Sequence, residues 1–215
     1  MSAVVEMVER ARLVAVIRLP DLSGAADLTR ALLAGGVTVL EFTLTNRDAI
    51  TVIRDLRHAL PEFDRGEAAI GAGSVTTIDG LNQVIDAGAQ FVVSPIMDPA
   101  LIARARAAGI VSMPGAYTPT EIFSAHQHGA EFVKVFPIRA LGAAYLKDVL
   151  APLPDLRLIA VGGVDLDNMA GYLSSGAVAV GVGGNLFDTA AIAAGDWEAV
   201  ARRARAYADR AAGRA

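Results

Sequence analysis

Eight short apolar runs recur along the chain, each one strand-plus-helix length from the next, and few folds accept that rhythm. They are "LVAVIRL" (13–19), "TVLEFTL" (38–44), "AAIGAGSV" (68–75), "FVVSPI" (91–96), "IVSMPGAY" (110–117), "FVKVFP" (132–137), "RLIAVGGV" (157–164) and "VAVGVGGNLF" (178–187). Between them lie segments such as "DLSGAADLTRALLAGG" and "PALIARARAAGI", apolar at three- and four-residue steps with a glycine at the helix end. Eight alternations within 215 residues predict an α/β chain folded as a (β/α)8 TIM barrel, with little room for insertions. An open doubly wound sheet would want a "GxGxxG" turn opening its first helix, and "RLPDLSG" is not that turn. The leading "VVEMVERA" predicts an extra N-terminal helix closing one end of the barrel. No linker or low-complexity stretch intervenes, so residues 1–215 are expected to form a single barrel domain.

Side chains alternate along a strand, and barrel chemistry sits at the strand C-terminal ends. In "FVKVFP", Phe132, Lys134 and Phe136 share one face and Val133 and Val135 the other. Lys134 points into the barrel if the valines face the helices. The same parity in "TVLEFTL" puts Glu41 and Thr43 opposite Leu40, Phe42 and Leu44. An acid and an amine from different strands are therefore expected to converge on one interior.

The chain has only two lysines, Lys134 and Lys147, among 19 basic residues. Where a plain positive charge would serve, arginine is used; an arginine cannot form an imine. Lys147, in the helical pattern "AAYLKDVL", reads as a solvated surface residue. Lys134 is expected to be buried, and a buried ammonium responds with a lowered pKa, which is the state a Schiff-base nucleophile needs. The competing reading is a Lys134–Glu41 ion pair that only fixes packing. Metal chemistry is not indicated: there is no cysteine, His126 and His128 in "SAHQHG" face different directions on a helix, and His58 is isolated.

The seventh and eighth runs end in "AVGGV" and "VGVGGNLF". Barrels commonly hold phosphate there on backbone N–H groups, and glycine lets the backbone approach an anion closely. Gly162, Gly163, Gly183 and Gly184 are thus candidate phosphate residues, the alternative being tight turns alone.

Composition argues against nucleic-acid and membrane partners. A formal net charge of -4, with 19 basic and 23 acidic residues spread along the chain, leaves no basic stripe for nucleic acid. No apolar run is long enough to cross a membrane, and "MSAVVEMVERARL" carries acids where a signal peptide would carry a basic flank. With no cysteine, the expected location is the cytoplasm.

The order "LEFTLTN", "IGAGSV", "VSPI", "MPGAYTPTE", "FVKVFP", "AVGGV" and "VGVGGNLF", spread over nearly the whole chain, resembles the 2-keto-3-deoxy-6-phosphogluconate aldolases and the related phosphogalactonate and 4-hydroxy-2-oxoglutarate aldolases. The resemblance implies a metal-independent Schiff-base aldolase on a (β/α)8 barrel, without cofactor and commonly trimeric, acting on a small 2-keto acid. It implies Lys134 as the imine lysine and Glu41 as the acid/base carboxylate. Thr43 and Ser74 are then candidates for the keto-acid carboxylate, Arg18 for the same carboxylate or the phosphate, Pro95 lines the substrate, Phe136 walls off water beside the imine or simply fills the barrel, and Asn185 joins the glycines at the phosphate. The chain departs from the pattern in three places. Gluconate-type members carry arginine in "TLRT" where Thr45 stands, with Arg47 the nearest substitute; Val161 replaces a threonine, as in galactonate-type "AVGGV"; and Asn185 replaces a serine. The sugar epimer and a 4-hydroxy-2-oxoglutarate substrate stay open; a sugar-phosphate-binding barrel without turnover, and another phosphate-binding barrel enzyme such as an isomerase or synthase, are alternatives against which Lys134 and Glu41 discriminate.

Overall fold

The computed structural model describes residues 2–214. Its strands are β1 (Leu13–Ile17), β2 (Val39–Thr43), β3 (Ala69–Gly73), β4 (Phe91–Val93), β5 (Val111–Met113), β6 (Gly115–Ala116), β7 (Val133–Val135), β8 (Leu158–Val161) and β9 (Ala179–Val182). The helices are α1 (Ala3–Ala11), α2 (Ala25–Ala34), α3 (Ala49–Ala59), α4 (Ile78–Asp86), α5 (Pro99–Ala107), α6 (Pro119–Gln127), α7 (Gly142–Leu150), α8 (Met169–Ser174), α9 (Thr189–Ala194) and α10 (Trp197–Ala211). All strand pairs are parallel, in the order β5-β4-β3-β2-β1-β9-β8-β7-β6. None of the described helices is long and apolar enough to cross a membrane.

The expected eight strands become nine because the run 110–117 breaks at Pro114, between β5 and β6. Proline has no N–H to give a neighbouring strand, so the ladder is interrupted there. β5 pairs with β4, and β6 with β7. The ring still closes, since the amides of Phe132, Lys134 and Phe136 donate to the carbonyls of Ser112 (3.4 Å), Pro114 (2.9 Å) and Ala116 (3.0 Å). The result is an eightfold barrel with a seam in its fifth strand.

Two apolar layers arise from the strand alternation. Leu40, Phe42, Val133, Val135, Leu158 and Val180 point outward and pack under the helices. The first inward positions, among them Val14, Val39, Ala69, Phe91, Val111, Phe132, Ile159 and Ala179, meet inside the barrel. Helix α1 lies beneath them as the sequence predicts, burying Val4, Val5, Met7 and Val8 in the same cluster. The Glu9–Arg157 ion pair (2.9 Å) ties α1 to the segment leading into β8. This plugged floor leaves the opposite mouth, at the strand C-terminal ends, as the open end.

Candidate active site

Lys134 and Glu41 occupy the second inward positions of β7 and β2, as the parity of each run predicts. Both are buried, at 4% and 2% exposure. Among the described residues they form no ion pair with each other, and neither side chain makes a hydrogen bond to a protein group. The packing-only ion pair considered from sequence is therefore absent. Nζ of Lys134 lies 4.7 Å from the ring centroid of Phe136. Burial pushes the Lys134 amine below its ordinary range, with the Arg18 charge adding to the effect and the Glu41 charge opposing it. Burial pushes the Glu41 carboxyl up, against the lowering fields of Lys134 and Arg18. Each group is thus shifted toward its neutral form.

Room for the carboxylate comes from β3. A β-carbon on Gly73 would fall onto Oε1 of Glu41, so the neighbouring strand must carry glycine where the acid lies across it. The next residue, Ser74, sits in the left-handed region at φ 61°. For a side chain bearing a β-carbon that conformation is strained, and such strain concentrates at functional sites. The Thr43 hydroxyl is already engaged, with the Ile17 carbonyl (3.3 Å) and the Thr45 hydroxyl (2.8 Å), so it braces β2 against β1. Pro95 is half-buried at the seam, where its carbonyl leaves no space for a β-carbon on Gly115.

Beside the lysine opens a cavity of about 360 Å³. Its lining brings together Arg18, Phe136, Gly162, Gly163, Gly183, Gly184 and Asn185 from the sequence-based set. Phe136 links the two regions: its ring faces Nζ of Lys134, and a β-carbon on Gly162 would come within 3.3 Å of its Cδ2. Gly162 and Gly163 hold φ of 105° and 81°, conformations that other residues rarely adopt. Among the described residues, the amides of Gly162, Gly163, Gly183 and Gly184 donate to no protein acceptor. Asn185 donates its amide to the Val164 carbonyl (3.0 Å), and Asn168 donates to the Gly163 carbonyl (2.9 Å), so the two glycine loops are fixed by side chains.

Arg47 is not brought into this group. It lines an adjoining cavity with Thr45, Asn46 and Asp48, out on the β2–α3 connection, and the two cavities share Arg18. Sequence reasoning missed two contributors, Gly73 and Arg139. Arg139, also in the lining of the 360 Å³ cavity, comes just after the "KVFP" segment and was signalled only by lying past a strand C-terminal end. A larger, more apolar cleft of about 560 Å³ lies between the β1–α2 connection and α9, lined by Leu22, Ile192 and Trp197 among others. Asp21 is its only ionisable lining residue, so it offers no amine for carbonyl chemistry. His58, His126, His128 and Lys147 are all exposed on helices or their ends.

An amine held toward its neutral form beside a carboxyl held toward its protonated form can attack a carbonyl and shuttle a proton. The comparisons with known proteins point the same way. The family described as "Aldolase: KDPG and KHG aldolase" matches residues 4–203. The chain is 34% identical over 201 residues, 93% of each chain, to 2-dehydro-3-deoxy-phosphogluconate aldolase of Treponema pallidum. It is 36% identical over 176 residues, 81% of each chain, to a probable 2-dehydro-3-deoxy-6-phosphogalactonate aldolase of Rhizobium meliloti. The structure of KDPG aldolase from Legionella pneumophila, with pyruvate captured as a covalent carbinolamine, superposes with a TM-score of 0.86 at 28% identity, covering 96% of this chain and 98% of that one. With the match running through nearly the whole barrel, the chain belongs to the KDPG and KHG aldolase family.

Proposed function

We propose that the protein is a Schiff-base aldolase that cleaves a 2-keto-3-deoxy-6-phospho sugar acid to pyruvate and glyceraldehyde 3-phosphate. One observation carries this reading: the buried Lys134 amine, free of any ion pair among the described residues, shares the barrel mouth with Glu41. Neutral Nζ attacks the C2 carbonyl, and loss of water gives a protonated imine. Glu41, directly or through a water, takes the proton of the 4-hydroxyl as the C3–C4 bond breaks. The bond's electron pair passes into the imine to leave an enamine. Glu41 then returns a proton to C3, and hydrolysis releases pyruvate and the free amine. A carboxyl whose pKa is raised by burial suits both halves of that exchange.

Arg18 and Ser74 are the groups best placed for the keto-acid carboxylate, since the Thr43 hydroxyl is already bonded. The free glycine amides of the 360 Å³ cavity are assigned to the distal phosphate, with Asn185 holding their loops. Phe136 and Pro95 line the substrate. Self-association as a homotrimer belongs to the same reading. It is supported by exposed Ile78, Ile96, Tyr117 and Phe123, which come after β3, β4 and β6 in successive connections. A single barrel domain working in the cytoplasm, without cysteine, completes it.

Borohydride added with pyruvate tests the chemistry. Reduction of the imine should leave a stable added mass on Lys134, mapped by peptide mass spectrometry. A label on Lys147 alone, or on neither lysine, overturns the proposal.

A further inference from the structure

The lining of the 360 Å³ cavity contains two guanidinium groups, Arg18 and Arg139, and no acid. Arg139 sits in the short turn Ile138–Ala140 after β7, with its guanidinium laid across the Cα of Gly163. A β-carbon on Gly163 would collide with Nε of Arg139 and come within 3.2 Å of its Cζ and Nη2. Glycine at this position therefore serves the arginine's placement as well as the backbone's φ. Among the described residues, Arg139 makes no ion pair and no hydrogen bond to a protein group. Asp165, the acid beyond the Gly163 loop, has its Oδ1 occupied by the amides of Asp167 (3.0 Å) and Asn168 (2.9 Å).

The two arginines differ in what they face. Arg18 lines the cavity too, and its charge acts on both Lys134 and Glu41, so it joins the glycine loops to the reacting end. Arg139 instead lies against the Gly163 loop, and no effect of its charge on Lys134 or Glu41 is among the causes of their shifts. A guanidinium without an ion pair, beside backbone amides without acceptors among the described residues, is a half-built anion clamp. We infer that Arg139 is a specificity-determining residue, which holds the phosphate of the substrate against the Gly163 loop and sets the preference for a dianion over a carboxylate at the substrate's far end. The inference rests on the phosphate reading of this cavity and names the side chain that gives the cavity its selectivity.

The test compares kcat/KM for a six-carbon 6-phosphorylated 2-keto-3-deoxy acid with that for its unphosphorylated counterpart, in the wild type, Arg139→Ala and Arg139→Lys. Losing one charge-assisted contact should cut the phosphorylated-to-unphosphorylated ratio about tenfold or more in Arg139→Ala. The loss should fall on KM rather than kcat, and inhibition by inorganic phosphate should weaken in parallel. Arg139→Lys should recover part of the ratio, because a point charge replaces the planar fork. A wild-type preference that survives unchanged in Arg139→Ala overturns the role of Arg139 and leaves the glycine site standing. A wild type that treats both substrates alike, and is not inhibited by phosphate, overturns the inference and the phosphate reading together.

Discussion

At the floor of the barrel the first inward residues, Val14, Val39, Phe91 and Phe132 among them, are apolar, and α1 lays Val4, Val5, Met7 and Val8 beneath them. Two residues further along the same strands, Glu41 comes after Val39 and Lys134 after Phe132, while Gly73 clears space for the acid. The separation is about 7 Å, two residues of strand rise. Across that distance, burial changes its meaning. At the floor it stabilises the fold through area removed from water. At the mouth it opposes the charged states of two groups and moves both toward the forms the proposed chemistry uses. The fold can tolerate the second because the first is complete.

The largest expected effect breaks the mouth and spares the floor. Lys134→Met removes the carbonyl nucleophile and keeps an unbranched side chain of similar length without a buried charge, so turnover and borohydride trapping should fall to background while the urea midpoint changes little. The converse is Phe91→Ala at the floor, expected to cost about 3–5 kcal/mol of stability. Urea denaturation should show the loss, with kcat per folded molecule retained; a variant of unchanged stability would refute the division. Glu41→Gln sharpens the picture within the mouth. Removing a general base should slow turnover about a hundredfold or more. Imine formation, read by trapping, should survive. Gly73→Ala is a subtler intrusion on the same acid. Its methyl group displaces the carboxyl, and a lowering of kcat of about ten- to a hundredfold is expected from misplacement alone.

The smallest effect is on pH dependence, and its sign is fixed by charge. Imine formation requires neutral Lys134, so its rate rises with pH until the amine is deprotonated. Arg18 lowers the pKa of that amine, and Arg18→Met should move the acid limb to higher pH. Glu41 raises it, and Glu41→Gln should move the limb to lower pH. Rates of borohydride trapping across a pH series would reveal both shifts; movement in the same direction would show that the two charges do not act through Lys134.

The convergence of Glu41 and Lys134 was legible because strand alternation has a period of two and both runs carry unambiguous outward valines, leucines or phenylalanine. The glycine pairs were legible as well, since their position at the ends of the last two strands is a property of the fold. The loops beyond the strand ends were not. Whether Arg47 or Arg139 turns toward the cavity depends on the path of a few loop residues, and neither path has a periodic signature. The engagement of Thr43 depends on the Ile17 carbonyl, 26 residues away in sequence. The break at Pro114 was in view within "VSMPGAY", yet an apolar run reads as one strand unless the missing N–H is weighed against both neighbours.

That break places an unusual demand on one residue. Through its amide, Lys134 joins β7 to the seam at the Pro114 carbonyl, and its amine is the group to which the proposed mechanism assigns the carbonyl attack. Deuterium uptake at this single peptide group would therefore report the integrity of the ring at the residue proposed as the nucleophile. Any opening that exposes the amide also loosens the tether of the nucleophile, so the closure of the cylinder and the aim of the amine rise and fall as one quantity.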